Sequence, residues 1–216
     1  LRVESKSNLT SEIRKQKTCT MHLVADHELY WEMFNREGRN DAKRTREEIV
    51  SMLYIHMRAV NEIYENARLD GMPDINFSVK QISIHAKNNE EELSKLHKFL
   101  DWLLPPEKSE AYLRNHSRKD HSEFCLSYAF TSQKFEKSTI GMANVGVVGD
   151  HFGICADFRP FLRQTDNIGF VTLQGPDGRL SSRTTQLTFA HEIGHSLGAH
   201  HDYTYDPKGP YLMTQG

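Results

Sequence analysis

The stretch Ala190-His-Glu-Ile-Gly-His-Ser-Leu-Gly-Ala-His-His-Asp202 constrains this chain more than any other. His191 and His195 stand four residues apart, so a helix here sets both imidazoles on one face, one turn apart. That spacing suits two ligands of one zinc ion, with Glu192 beside the first as candidate general base. A third ligand cannot come from a continued helix, which would point His201 well away from the ion. Gly198 removes the obstacle, because glycine adopts the left-handed conformation that ends a helix and swings the chain back. His200 is expected to face solvent. Asp202 is chemically able to ligate, but His201 occupies the position the pattern requires. Three neutral histidines with an open fourth position describe one catalytic zinc ion rather than a structural one.

The chemistry follows from that ion. Zinc lowers the pKa of a bound water to about 7, which makes hydroxide available at neutral pH. Glu192 would take the proton and hand it to a leaving amine. The expected reaction is peptide-bond hydrolysis without a covalent intermediate. The full pattern is the metzincin signature H-E-x-x-H-x-x-G-x-x-H, five fixed residue types within eleven positions.

The rest of the chain must build a domain around this helix. Its 216 residues suffice for a single α/β domain with a proper core. A net charge of −2 with mixed signs points neither to nucleic acid nor to an anionic membrane. No apolar run spans a bilayer; the longest cluster, Phe99 to Leu104, is interrupted by Asp101 and stopped by Pro105-Pro106. The first residues lack the apolar core of a signal peptide and do not begin with Met, so a processed product or an excised domain is expected. Three cysteines (Cys19, Cys125 and Cys155) leave one over if two pair. Sequons at Asn8, Asn76 and Asn115 favour glycosylation and a secreted or cell-surface setting.

Taken in order, residues 1–17 read as an exposed polar arm. Thr18 to Asp26 is a buried first strand, and residues 35–42 are a polar break. A long helix is expected from Arg44 to Ala67, with Ile49, Leu53, Met57, Val60 and Tyr64 inward. Ile75 to His85 forms strand two, whose alternation slips phase after Val79 and implies a bulge or burial on both faces. Asn88-Asn89 and the acidic triplet after them start a helix running to Leu104. Residues 105–122 suit a short helix and a loop. Phe124 to Phe130 is strand three, and the glycine-punctuated run Ile140 to Gly149 an edge strand approached closely by another chain. Residues 150–166 are an irregular loop, Asn167 to Gln174 the last strand, and the catalytic helix begins near Thr184. Such alternation implies a mostly parallel α/β sheet.

Together these residues resemble the catalytic domain of an ADAM (adamalysin or reprolysin) metalloprotease. Asp202 directly after the third histidine is that branch's variant of the motif, and Met213 in Tyr211-Leu-Met-Thr214 resembles its Met-turn. Lys17-Thr-Cys-Thr20, Ala25-Asp-His27, Phe124-Cys-Leu126, Gly141-Met-Ala-Asn-Val-Gly146 and Gly153-Ile-Cys155 echo the Kuzbanian and TNF-α-converting-enzyme subgroup. The resemblance implies one catalytic domain over 1–216, ending just after the Met-turn, and a twisted five-stranded sheet above the zinc helix. It also implies a Cys19–Cys125 disulfide and substrate lying extended along Gly141, Met142, Ala143, Asn144, Val145 and Gly146. The family's partner for Cys155 lies beyond the Met-turn. The implied activity is ectodomain shedding of membrane proteins by a monomer cut from a type I membrane protein, with an inhibitory prodomain or tissue-inhibitor-type protein as further partners. The alternatives are a secreted reprolysin cutting matrix or plasma proteins and a non-catalytic binding module; retention of Glu192 and all three histidines favours an enzyme. Some relatives carry calcium, and no acidic cluster here demands it.

Overall fold

The computed structural model describes residues 17–66, 75–86, 108–147, 149, 152–202 and 212–214. Strand β1 (Lys17–Ala25) is rich in apolar and β-branched residues and is the spine of the sheet. It pairs in parallel with β2 (Ile75–Ile84) on one side and β3 (Leu126–Thr131) on the other. β5 (Ile168–Thr172) adds in parallel to β3, and β4 (Gly141–Ala143) runs antiparallel at the far edge. The order is β2-β1-β3-β5-β4, a five-stranded, mostly parallel sheet as expected. β6 (Gln174–Gly175) and β7 (Gly178–Arg179) form a small hairpin beyond it.

The phase slip in strand two is a bulge. Met21 pairs with Val79 and His22 with Gln81, so Lys80 has no opposite number. The disulfide joins Cys19 of β1 to Cys125, which leads into β3, and closes a separation of 106 residues.

Helix α1 (His27–Asn35) was not anticipated from the sequence. Asp26, read there as the end of strand one, is its N-cap and accepts a hydrogen bond from the Leu29 amide at 2.9 Å. Helix α2 (Ala42–Asn66) agrees within two residues at each end with the expected long helix, and Ile49, Leu53, Met57, Val60 and Tyr64 are all buried. Its start is fixed by Asp41, whose carboxylate accepts from the Arg44 amide at 2.7 Å. Helix α3 (Ser109–Ser117) is the short helix of the 105–122 stretch. Helix α4 (Ser182–Ser196) carries the signature and starts two residues earlier than expected, capped by Ser181, whose hydroxyl accepts from the Thr184 amide. The helix expected over 88–104 and the arm up to residue 16 lie outside the described residues.

One face of the sheet (Met21, Leu23, Leu126, Tyr128, Phe130) packs with Leu29, Leu53, Val60, Phe189 and Ile193 from the helices into the main core. Strand alternation sends Val24, Ala129, Ile168 and Phe170 to the other face, where Leu113 of α3 covers them. The catalytic helix is therefore a core element: Phe189, Ala190 and Ile193 are fully buried beneath the sheet. Phe189 and Ile193 each contribute about 1.5–3 kcal/mol of burial, which anchors the residues between them. Among the described residues no helix is long and apolar enough to cross a membrane.

Candidate metal and peptide-cleavage site

Helix α4 ends where the sequence requires. Gly198 has φ +97°, and the Ala199 amide turns back to donate to the Gly194 carbonyl at 2.9 Å. The reversal returns His201 to the face carrying His191 and His195. The Nε2 atom of His201 lies 3.1 Å from that of His191 and 3.0 Å from that of His195. His200 is exposed, and Asp202 is not part of the converging set.

The chemistry of this donor set fits zinc. The Nδ1 of His191 lies 2.7 Å from the Leu212 carbonyl and that of His195 lies 2.8 Å from the Ala199 carbonyl. A carbonyl only accepts, so each Nδ1 carries the proton and each Nε2 presents its lone pair to the common point. Burial lowers the pKa of both rings, which keeps them neutral as ligation requires. Among the described residues this is the one set of three ligand atoms gathered within 4.8 Å of one another.

Glu192 is 6 % exposed and lies beneath the edge strand. A Cβ on Gly141 would come within 2.8 Å of its Cγ and Oε1 atoms. Burial pushes its pKa up to about 8. A cation on the adjacent imidazoles favours the ionised form. Met213 lies under the helix, its Sδ 2.5 Å from the point where a Cβ on Gly194 would stand, and its neighbour Leu212 supplies the carbonyl that orients His191. The short segment 212–214 thus braces two consecutive turns of the catalytic helix.

The expected edge strand of ten residues pairs over only three, Gly141 with Val171, Met142 with Phe170 and Ala143 with Gly169. Beyond Ala143 the chain leaves the sheet to follow the helix. The Asn144 side chain donates to the Asp166 carbonyl and carboxylate at 3.3 and 3.2 Å, and the Gly146 amide donates to the His195 carbonyl at 2.8 Å. Asp166, 1 % exposed, is held in turn by Arg159 and by Gln164 at 2.9 Å. Two buried hydroxyls pin the helix from behind: Tyr128 shares a 2.8 Å hydrogen bond with Ser196, and Tyr64 donates to the Ala190 carbonyl at 2.9 Å. Sequence reasoning does not single out Asp166 or Tyr128, and it places Tyr64 on the inward face of α2 without its bond to the catalytic helix. Cys155 is a free, exposed thiol whose amide donates to the Cys125 carbonyl. Of the sequons, Asn115 is exposed on α3, Asn76 is half-buried in β2, and Asn8 lies outside the described residues.

A mostly parallel sheet over a helix bearing H-E-x-x-H, with a third histidine returned by a glycine turn, defines a metallopeptidase catalytic domain of the metzincin kind. The Reprolysin_5 model of metallopeptidase family M12 matches residues 15–214, and the chain belongs to that family. It is 34 % identical over 212 residues to the disintegrin and metalloproteinase domain-containing protein 10 homolog of Caenorhabditis elegans, covering 91 % of this chain and 23 % of that protein. The human protein 10 is 28 % identical over 192 residues, 87 % of this chain and 24 % of its own length. The protein 17 homolog of C. elegans is 28 % identical over 222 residues, 91 % and 30 % respectively. The chain thus spans about a quarter of the length of these curated relatives.

Proposed function

We propose that this chain is the catalytic domain of a zinc-dependent endopeptidase that cuts extended segments of membrane-protein ectodomains at the cell surface. The observation that carries the reading is the three converging Nε2 atoms, with Glu192 of the same helix packed against Gly141 of the edge strand. His191, His195 and His201 would hold the ion, which when bound supplies an acidic water and a Lewis acid for the scissile carbonyl. Glu192 accepts a proton from the attacking water and delivers it to the leaving amine. The outer side of β4 offers its backbone to an extended substrate, as an added strand, and continues past Asn144 to Gly146. Burial of Glu192 against Thr188 and Gly141 excludes bulk water from the proton's path.

The shedding role rests on the likeness to the protein 10 and protein 17 relatives and on the motifs of their subgroup. A disulfide together with an exposed sequon at Asn115 supports an oxidising, extracellular setting. An inhibitory prodomain or tissue-inhibitor-type protein would act by occupying the histidine site and the edge strand beside it. The test is zinc content measured alongside cleavage of a quenched fluorescent peptide library, with and without a hydroxamate. One zinc per chain and hydroxamate-blocked cleavage are expected. Glu192→Ala should keep the zinc and lose about 10²–10⁴-fold in rate; comparable turnover in that variant would refute the general-base assignment.

A further inference from the structure

On the face of the sheet opposite the catalytic helix, the strands carry an unusual polar row. His22 of β1, Gln81 and Ser83 of β2 and Ser127 of β3 share that face with Val24. His116 of α3 and His121 of the following loop close over it. The rings of His22 and His121 lie 5.5 Å apart and those of His116 and His121 4.7 Å apart, and all three residues are at least nine-tenths buried. Beside them opens a cavity of about 340 Å³, rimmed also by His85 and Lys119.

These histidines are not arranged to hold a metal. Both nitrogens of His22 face serine hydroxyls, Ser83 at 2.8 Å and Ser127 at 3.2 Å, while His121 Nε2 donates to the His116 carbonyl. Six of the groups that line the cavity can donate or become cations: four imidazoles, the Lys119 ammonium and the Gln81 amide. Lys80 adds a further cation, lying over the Phe124 ring and donating to the Glu123 carbonyl. Two carboxylates belong to the rim. Asp120 is turned to its own loop, where it accepts from the Ser122 amide and hydroxyl; Glu123 is exposed. Burial first, then repulsion from neighbouring imidazoles and Lys119, holds His22 and His116 below their ordinary pKa, with His85 adding at His22; burial and Lys119 lower His121 against an opposing pull from Asp120 and its bond to the His116 carbonyl. An anion in the cavity would relieve that repulsion and draw protons onto the rings.

We propose that this cavity is a proton-coupled oxyanion site, taking a phosphate or sulfate group, free or carried on a sugar. Its affinity rises as pH falls, by up to about tenfold per pH unit for each coupled proton. The site is separate from the metal centre and does not depend on cleavage.

The experiment is thermal unfolding of the zinc-loaded domain at about pH 5.5 and about pH 7.5, a span that brackets histidine titration. Sodium phosphate is compared with sodium chloride of equal ionic strength, and a sulfated disaccharide forms a third arm. Phosphate should raise Tm beyond chloride, and more at the lower pH. A tighter response to the disaccharide assigns the natural group to a glycan, and an equal or weaker one assigns it to the free ion. Lys119→Ala and His85→Gln change exposed and half-buried side chains and leave the fold intact; each should weaken the response by about tenfold. A phosphate response no larger than that to chloride, or one unchanged in both variants, overturns the proposal.

Discussion

Gly141→Ala separates the role of the edge strand from the stability of the fold. The backbone at 141 lies in ordinary strand conformation, so alanine meets no φ penalty and stiffens the unfolded chain by about 0.4–1 kcal/mol in favour of folding. What it meets is Glu192. The new methyl would stand 2.8 Å from Cγ and Oε1 of Glu192 and 2.8 Å from Cγ2 of Thr188, where carbon contacts are comfortable at about 3.5–4.0 Å. The strand cannot retreat easily, because Gly141 is in register with Val171 and the Thr172 amide donates to the Ile140 carbonyl. The carboxylate is therefore displaced by roughly 0.7–1 Å, and a shift of that size at a reacting group costs about 10²-fold in rate. Overpacking costs about 1–3 kcal/mol, partly offset by the entropy gain. The expected variant keeps its zinc and most of its stability but loses about 10²-fold in kcat/KM on a fluorogenic peptide. Adding Thr188→Ser removes one of the three clashing atoms; stability should recover while the rate stays low, since Glu192 remains displaced. Wild-type kcat/KM in Gly141→Ala would refute the placement of Glu192 against the edge strand.

Two further outcomes follow from the buried polar groups. Burial lowers the His22 pKa to about 4 from an ordinary 6.5, and His116 and His121 are lowered with it. A depressed histidine leaves the unfolded chain binding more protons, so this stability is complete above about pH 6.5 and lost as pH falls toward 4. For His22 alone the loss is about 2 kcal/mol at pH 5; urea midpoints in chloride buffers that stayed flat from about pH 6.5 to 5 would contradict it. Tyr128→Phe strands the Ser196 hydroxyl in the core beside His195 and should cost about 1–3 kcal/mol in urea denaturation; Tyr128→Phe combined with Ser196→Ala should restore most of that loss.

The parts of this molecule legible in its sequence are those governed by neighbours along the chain. The 3.6-residue period of α2 names its buried face, the phase slip after Val79 marks the bulge, and Gly198 announces the turn that His201 needs. Helix α1 was equally local: Asp26 caps it, and Leu29, Tyr30 and Met33 line one side. The helix follows β1 with only Asp26 between them, so the cap reads as the tail of a strand. The edge strand was misjudged in length for a different reason. Its glycines advertise close approach but not to what; the approach after Ala143 is to the helix, where the Gly146 amide meets the His195 carbonyl instead of a neighbouring strand.

The remaining site residues are invisible to pattern because their partners are remote. Tyr128 and Ser196 are 68 positions apart, Tyr64 and Ala190 126 apart, and Asp166 reaches Asn144 across 22. Each bond sits where the motif residues alone are insufficient. The motif supplies the three proposed ligands and the proposed base, but their relative positions depend on the helix not sliding beneath the sheet. Tyr64 fixes it from α2, Tyr128 from β3, and the Gly146 amide from the segment that follows the edge strand, all within the turns that carry His191 and His195. A helix held from three sides keeps Glu192 at a set distance from β4. On the proposed mechanism the edge strand therefore positions the base as well as the peptide, which is why a single methyl at 141 is expected to reach the chemistry.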